Sequence, residues 1–79
     1  MKSKIDLYVM DKVRERRMEL GISQAKLAAR LKMSVGFIGT VESDSYESHY
    51  NVKHLNELAI ILECSPKDFF PDSPIKNEY

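Results

Sequence analysis

Two short helical patterns lie next to each other between positions 24 and 42, where the chain reads QAKLAARLKMSVGFIGTVE. The apolar positions that repeat at helical spacing are Leu27, Ala28 and Leu31 in the first pattern and Ile38 and Val41 in the second. Only two or three residues separate the patterns, and Ser34 there can accept hydrogen bonds from the free backbone N–H groups that open the second helix. Two helices joined so tightly must cross at a steep angle, and small Ala28 lets their axes come close. The predicted pair is a helix-turn-helix, in which one helix is held against the domain and the other projects into a DNA groove.

Five helices are predicted in all, and the sequence has no strand patterns or repeats. They cover about residues 4–20, residues 23–31, residues 34–42, a stretch capped by Asn51 and a short stretch opened by Ser65. Gly21 ends the first helix, as glycine commonly does just past a helix C-terminus. The predicted buried faces carry Val9, Val13 and Leu20 on the first helix and Val52, Leu55, Leu58, Ala59 and Leu62 on the fourth. We therefore expect one all-α domain over residues 1–70, followed by a flexible tail over residues 71–79.

The last predicted helix combines a capping pattern with two adjacent aromatic residues. Ser65 can cap it, Pro66 occupies the first turn, where its missing N–H does no harm, and Asp68 favours a helix N-terminus. Phe69 and Phe70 cannot both point into so small a core. One of them, more readily Phe70, is expected together with Pro66 at an interface between two copies of the chain. The alternative is a core residue that the tail partly covers.

The charges divide the chain into a basic half and an acidic half, although the formal net charge is zero. Residues 1–41 carry nine Lys or Arg against four Asp or Glu, and residues 42–79 carry three against eight. A local basic face can attract phosphate because electrostatic fields act over about one Debye length, ~10 Å. The alternative is that these charges are only solvated helix faces.

The composition argues against several other classes of protein. Cys64 is the only cysteine, which excludes an intramolecular disulfide framework, and no His/Cys cluster has zinc-ligand spacing. The N-terminal residues contain no long apolar run, so we expect neither a signal peptide nor a membrane span, and the cytoplasm is the default compartment. No catalytic set, phosphate-cradling glycine loop or cofactor motif is present. An enzyme is not expected.

These residues together resemble the phage-repressor-like helix-turn-helix transcriptional regulators, also called the xenobiotic-response-element (XRE) type. The likeness covers about residues 9–70 and depends on the joint order and spacing of common residues. Those residues are Arg17, the run Leu20-Gly21-Ile22-Ser23-Gln24, Leu27-Ala28, Ile38, Val41-Glu42, Leu55, Leu58-Ala59 and Cys64-Ser65. The resemblance implies a five-helix lambda-repressor-like domain of the repressor type. Such a domain binds double-stranded operator DNA as a homodimer.

The resemblance also implies roles for individual residues. Helix three would lie in the major groove, and the residues nearest the base edges would be Ser34, Val35, Gly36 and Thr40. Gln24 would contact a phosphate beside Ser23 at the N-terminus of helix two, and Lys53 would contact the sugar-phosphate backbone. Arg17 and Glu42 match a buried salt bridge that ties helix one to the end of helix three. The alternative role for this pair is stability alone.

The aromatic residues around helix three leave two interpretations open. Tyr46, His49 and Tyr50 could donate hydrogen bonds to phosphates, or could pack the loop over residues 43–50 onto helix four. Phe37 could contact deoxyribose and a thymine methyl, or could pack back on helix two.

Helix three is chemically sparse for a helix that reads bases. It lacks the Arg, Lys, Gln and Asn side chains that make bidentate contacts with guanine or adenine, whereas Val35 and Thr40 suit thymine methyl groups. Gly36 and Gly39 each weaken a helix by roughly 1 kcal/mol relative to Ala, a cost that close approach to DNA or to another helix would offset. Lys32 stands where the family usually has glycine, which costs about 1 kcal/mol if the turn needs a left-handed residue. The same small apolar face could instead dock a protein helix, so a protein-interaction module is the alternative function.

Overall fold

The computed structural model describes residues 2–76, which form four α-helices and one short 3-10 helix. The elements are α1 (Lys4–Glu19), α2 (Gln24–Leu31), α3 (Val35–Val41), α4 (Val52–Ile61) and the 3-10 helix η1 (Pro66–Phe69). No strand occurs in this described part of the chain. The prediction of an all-α fold is confirmed.

The fifth predicted helix is a single 3-10 helix of four residues. Ser65 caps it as predicted, Pro66 stands at the start, and Asp68 completes a capping box by accepting from the backbone N–H of Ser65. Phe70 then adopts an extended backbone, with φ −113° and ψ 150°. Pro71 follows it, and the residue before a proline is driven out of the helical region by the proline ring, so the helix cannot continue.

Polar side chains begin every helix. The hydroxyl or amide oxygen that accepts from the first turn belongs to Ser3, Ser23, Ser34, Asn51 and Ser65, in chain order. Each such cap stabilises a helix by about 1 kcal/mol relative to alanine. Because capping is local chemistry, four of these five caps could be predicted from the sequence; the start of α1 near Lys4 was predicted too, but without its cap Ser3.

Residues in the left-handed backbone region end three of the helices. Gly21 has φ +67°, which glycine adopts without strain. Lys32 has φ 60° and ψ 40° at the end of α2, so the strained turn expected at this position is present. Glu63, just after α4, has φ 56°. These two non-glycine residues carry a backbone cost that a glycine would not.

One apolar core connects all five elements. Its buried side chains are Val9, Met10, Val13, Ile22, Leu27, Ala28, Ile38, Val41, Tyr50, Leu55, Leu58, Ala59, Leu62 and Phe69. Two residues predicted for this core are wrong: Leu20 is 37% exposed and Val52 is 83% exposed. Each stands at a helix end, where the apolar face extends past the elements packed against it. Ile22, two residues after Leu20, is buried in its place.

The C-terminal residues 71–76 contain no helix. The predicted flexible tail extends to residue 79, and its last three residues lie outside the described part of the chain. Between residues 2 and 76 no helix is both long enough and apolar enough to cross a membrane.

Candidate nucleic-acid interface

The pair α2 and α3 presents one exposed helical face on a buried support. Residues 32–34 connect the two helices, and Leu27, Ala28, Ile38 and Val41 bury their facing sides. On the opposite side, the exposed residues at the start of α3 are Ser34, Val35 and Gly36. This small surface therefore contains three of the four residues predicted to lie nearest base edges.

Thr40, the fourth of these residues, is only partly buried on α3, and its hydroxyl is already engaged. Thr40 Oγ1 donates to the carbonyl of Phe37 at 2.9 Å, a bond inside the helix. Ser34 Oγ accepts from the backbone N–H of Phe37 at 3.0 Å. Both hydroxyl groups therefore form hydrogen bonds within α3 and its cap. Thr40 is left with mainly its methyl group for a contact with a base.

The two glycines of α3 are not required by the packing of the domain. A Cβ added to Gly36 would lie 3.9 Å from Ser34 Oγ, and one added to Gly39 would lie 3.8 Å from Gln24 Oε1. Both distances are ordinary contacts. The interpretation that another helix of this chain approaches α3 too closely for a side chain is therefore wrong, because α2 leaves room for a methyl group.

A bidentate ion pair holds the end of α3 to α1. Arg17 Nε donates to Glu42 Oε2 at 2.9 Å, and Nη2 donates to Oε1 at 2.8 Å. The side chains are 11% and 3% exposed, respectively. Arg17 Nη1 also donates to the carbonyl of Ile22 at 2.7 Å, so a single guanidinium joins α1, the α1–α2 connection and the C-cap of α3.

Gln24 belongs to the same network. Its Nε2 donates to Glu42 Oε1 at 3.2 Å, and the residue is half-buried. Ser23 is exposed, and its Oγ accepts from the backbone N–H of Lys26 at 3.0 Å. Gln24 therefore couples the N-terminus of α2 to the buried ion pair, a link that the sequence pattern did not reveal.

Three rings pack together where the loop over residues 43–50 meets α4. The centroid of Phe37 lies 6.1 Å from that of Tyr50 and 5.4 Å from that of His54, and the last two are 6.2 Å apart. These ring contacts place Phe37 against the start of α4, an element that neither of the two interpretations of Phe37 named. Phe37 is half-buried, so part of its side chain remains at the surface beside α3.

Tyr50 packs the loop and is not available to a phosphate. Its side chain is buried, and its hydroxyl has no hydrogen-bond partner within residues 2–76. Burial raises the pKa of Tyr50, and the Glu42 carboxylate raises it further, while the Arg17 guanidinium acts in the opposite direction. The phenol is therefore neutral, and it stands next to the buried ion pair.

The remaining predicted phosphate contacts are on the surface. Tyr46 and His49 are exposed on the loop over residues 43–50, and Lys53 is exposed in the first turn of α4. His54 beside it completes a capping box, in which its Nδ1 accepts from the backbone N–H of Asn51 at 3.1 Å. Burial lowers the pKa of His54, with smaller contributions from Lys53 and His49, which favours the neutral ring that this bond needs.

Lys2 is a buried residue beside the candidate site that sequence reasoning missed. The residue is 5% exposed, and its ammonium donates to the carbonyl oxygens of Thr40 at 3.1 Å, Tyr46 at 2.8 Å and Ser43. Thr40 lies in the last turn of α3, and the other two carbonyls belong to the loop that follows. Lysine is rarely buried, and these partners are 38 to 44 residues away, so no local pattern indicates the contact.

Among residues 2–76 no group of three His, Cys, Asp or Glu side chains could hold a metal ion.

The described residues form a small all-helical domain in which the short helix α3 follows α2 closely and exposes its first turn. This arrangement is typical of the helix-turn-helix class. The helix-turn-helix family model HTH_3 matches residues 13–69. The chain therefore belongs to this XRE-type family.

Solved structures of related fold support the same class. The restriction-modification controller protein C.Esp1396I, as a Y37F mutant, is 28% identical with a TM-score of 0.73, over 87% of this chain and 85% of the controller. The biofilm master regulator SinR, in complex with DNA, is 16% identical with a TM-score of 0.67, over 77% of this chain and 95% of the chain in that structure. The fold also occurs in FeII HppE, at 16% identity and a TM-score of 0.76, where 95% of this chain covers only 39% of the HppE chain. No curated protein sequence matches this chain.

Proposed function

We propose that this chain is a sequence-specific DNA-binding transcriptional regulator of the repressor type, in which α2 and α3 are the helix-turn-helix and α3 enters the major groove. The observation that carries the proposal is the first turn of α3, where Ser34, Val35 and Gly36 are exposed while the opposite side of the helix is buried. Membership of the HTH_3 family supports it. So does the likeness to a restriction-modification controller and to SinR, whose structure contains DNA.

Phosphate contacts on both sides of α3 would hold it in the groove. Ser23 and Gln24 stand at the N-terminus of α2, where backbone N–H groups and the helix dipole favour an anion. Tyr46, His49 and Lys53 are exposed on the other side, on the loop and on the first turn of α4. Gln24 would exchange its bond with Glu42 for one with phosphate. Because phosphate contacts dominate, affinity should fall steeply with salt.

Base reading would be modest and would favour thymine. Val35 offers two exposed methyl groups and Thr40 offers one, which suits the C5-methyl of thymine, while bidentate donors are lacking on α3. DNA shape would supply the rest of the specificity. Because Gly36 has no Cβ, the α3 backbone could lie closer to the groove floor. Close approach to DNA would therefore explain a glycine here, whereas packing within the free protein does not.

Lys53→Ala and Val35→Ala should weaken DNA binding in different ways. Loss of the exposed Lys53 ammonium should weaken binding to all duplexes alike and reduce the slope of log K against log salt by about 1. Loss of the Val35 methyl groups should cost about 1–3 kcal/mol on the preferred duplex and relax preference at one position. Fluorescence anisotropy on a panel of duplexes, chosen by selection from a random pool, measures both. A wild-type chain that binds no duplex in low salt would overturn the proposed function, and capture of a protein partner in that case would favour the interaction module.

Two copies of the chain would bind adjacent half-sites through a surface around Pro66 and Phe70. Phe70 is 43% exposed, and it lines one groove together with the exposed Val52 and with residues of α1. An exposed apolar groove of this kind loses water when a second copy covers it. Half-sites about one helical turn apart would match such a dimer.

Phe70→Ser should shift the chain toward the monomer in sedimentation velocity, while the far-UV circular dichroism stays unchanged. The shift follows because a serine cannot replace the apolar area that Phe70 contributes. Met18→Ser is the control, since Met18 is also apolar and is 64% exposed, against 43% for Phe70, but lies near the end of α1. Monomeric behaviour of the wild-type chain at every concentration, with and without DNA, would remove the dimer from the proposal.

A further inference from the structure

A crevice with unpaired positive charge lies between the end of α2 and the start of α4. Its lining residues are Arg30, Leu31, Lys32, Met33, Lys53, His54 and Glu57. Three of these side chains are cationic and one is a carboxylate. Within residues 2–76, Arg30, Lys32 and Lys53 have no ion-pair partner, although other basic residues of the chain do. Such a concave site of one sign attracts an anion from solution.

The crevice borders the exposed start of α3. Met33 directly precedes Ser34, the N-cap of α3, and the His54 ring lies 5.4 Å from the ring of Phe37 on α3. Lys53 and His54 also belong to the first turn of α4, the positive end of that ten-residue helix. A nucleic acid that contacts Ser34 and Val35 would therefore carry its backbone past this crevice.

Lys32 adopts a conformation that its residue type disfavours. Its φ of 60° and ψ of 40° are left-handed, and its backbone N–H donates to the carbonyls of Ala28 and Ala29 as the helix ends. A glycine would make the same turn without the steric cost. Strained residues of this kind concentrate at sites where the side chain is needed. A lysine at this strained position therefore agrees with a role for its positive charge.

We propose that Arg30, Lys32 and Lys53 together form a binding site for a DNA backbone phosphate, the basic crevice, next to the half-site that α3 reads. This proposal rests on the proposed function, and it adds Arg30 and Lys32 to the contacts given above. The guanidinium of Arg30 can bind phosphate through two N–H groups, while the two ammonium groups supply charge without a fixed geometry.

Lys32→Gly separates binding from folding, because the two effects have opposite signs. Removal of the left-handed strain should raise the melting temperature by about 4–8 °C. Removal of one phosphate contact should weaken the Kd for the preferred duplex about tenfold at 0.1 M salt and lower the salt slope by about 1. Lower affinity in a more stable protein cannot be attributed to misfolding. Arg30→Gln, measured in parallel, should lower the salt slope by a similar amount.

Glu63→Gly is the matched control for this experiment. Glu63 is the other non-glycine residue with positive φ, and it occupies the corresponding place after α4. Its replacement should raise the melting temperature in the same way and leave DNA affinity equal or tighter, because an acid is removed. Equal Kd and salt slope for wild-type and Lys32→Gly chains would overturn the basic crevice while the proposed function stands. Absence of DNA binding by the wild-type chain would overturn both.

Discussion

Arg17→Met should lower the free energy of unfolding by about 3–5 kcal/mol, because it leaves the Glu42 carboxylate buried without its cation. Glu42 is 3% exposed in its side chain and receives two bonds from Arg17 and one from Gln24. The substitution also removes the bond from Arg17 Nη1 to the carbonyl of Ile22. A loss of this size is a large part of the total stability of a small domain, typically about 5–15 kcal/mol. Urea unfolding followed by circular dichroism measures it.

The double variant Arg17→Met/Glu42→Leu shows whether the loss comes from the orphaned charge. Apolar side chains of similar volume often replace a buried ion pair without net cost, so the double variant should recover most of the stability. If Arg17→Met costs less than about 1 kcal/mol, the pair is no more than a surface salt bridge in energetic terms.

Local chemistry explains why much of the fold could be predicted from the sequence. The starts of α2, α3 and α4 agree with the predictions to within about a residue because Ser23, Ser34 and Asn51 each satisfy an N–H group only three residues away. The alternation of buried and exposed positions on α2 follows from helical period alone. The same rules fail at helix ends, as for Val52, since a period does not tell where the neighbouring elements stop.

The candidate site was less accessible to prediction, because several of its contacts join distant parts of the chain. The positions of Ser34, Val35 and Gly36 on one exposed turn follow from helical geometry. The bond from Gln24 to Glu42 and the packing of Phe37 on His54 depend instead on how four helices are arranged. The sequence led to the same prediction for Tyr46 and Tyr50, either a phosphate contact or packing of the loop. Tyr46 is exposed, whereas the loop turns Tyr50 into the core.

The contacts of Lys2 are the clearest example of contacts that no local sequence pattern indicates. The ammonium donates to three carbonyl oxygens, of Thr40, Ser43 and Tyr46. Carbonyls at the C-terminus of a helix carry partial negative charge, so a cation there stabilises the end of α3 and orders the loop that follows. Lys2 thus positions the loop that carries Tyr46, one of the proposed phosphate contacts.

Lys2→Met should lower the free energy of unfolding by about 1.5–3 kcal/mol, the range for hydrogen bonds to a charged group. Backbone amides of residues 43–50 should exchange with deuterium faster, while those of α2 change only as far as global stability does. DNA affinity should fall as well, because the loop must then be ordered on binding. Lys2→Arg should retain only part of the stability and of the DNA affinity, since a planar guanidinium does not match the three carbonyl oxygens that surround the compact ammonium.

Lys67→Met is the matched control, because Lys67 is exposed on η1 and its loss should change stability by less than about 0.5 kcal/mol. Loop exchange rates that are equal in the Lys2→Met and Lys67→Met chains would mean that the loop holds its shape without the ammonium. Tyr46 would then be positioned by the packing of Tyr50 against Phe37 and His54. Faster exchange confined to residues 43–50 in the Lys2 variant alone would instead show that the Lys2 ammonium determines the order of this loop.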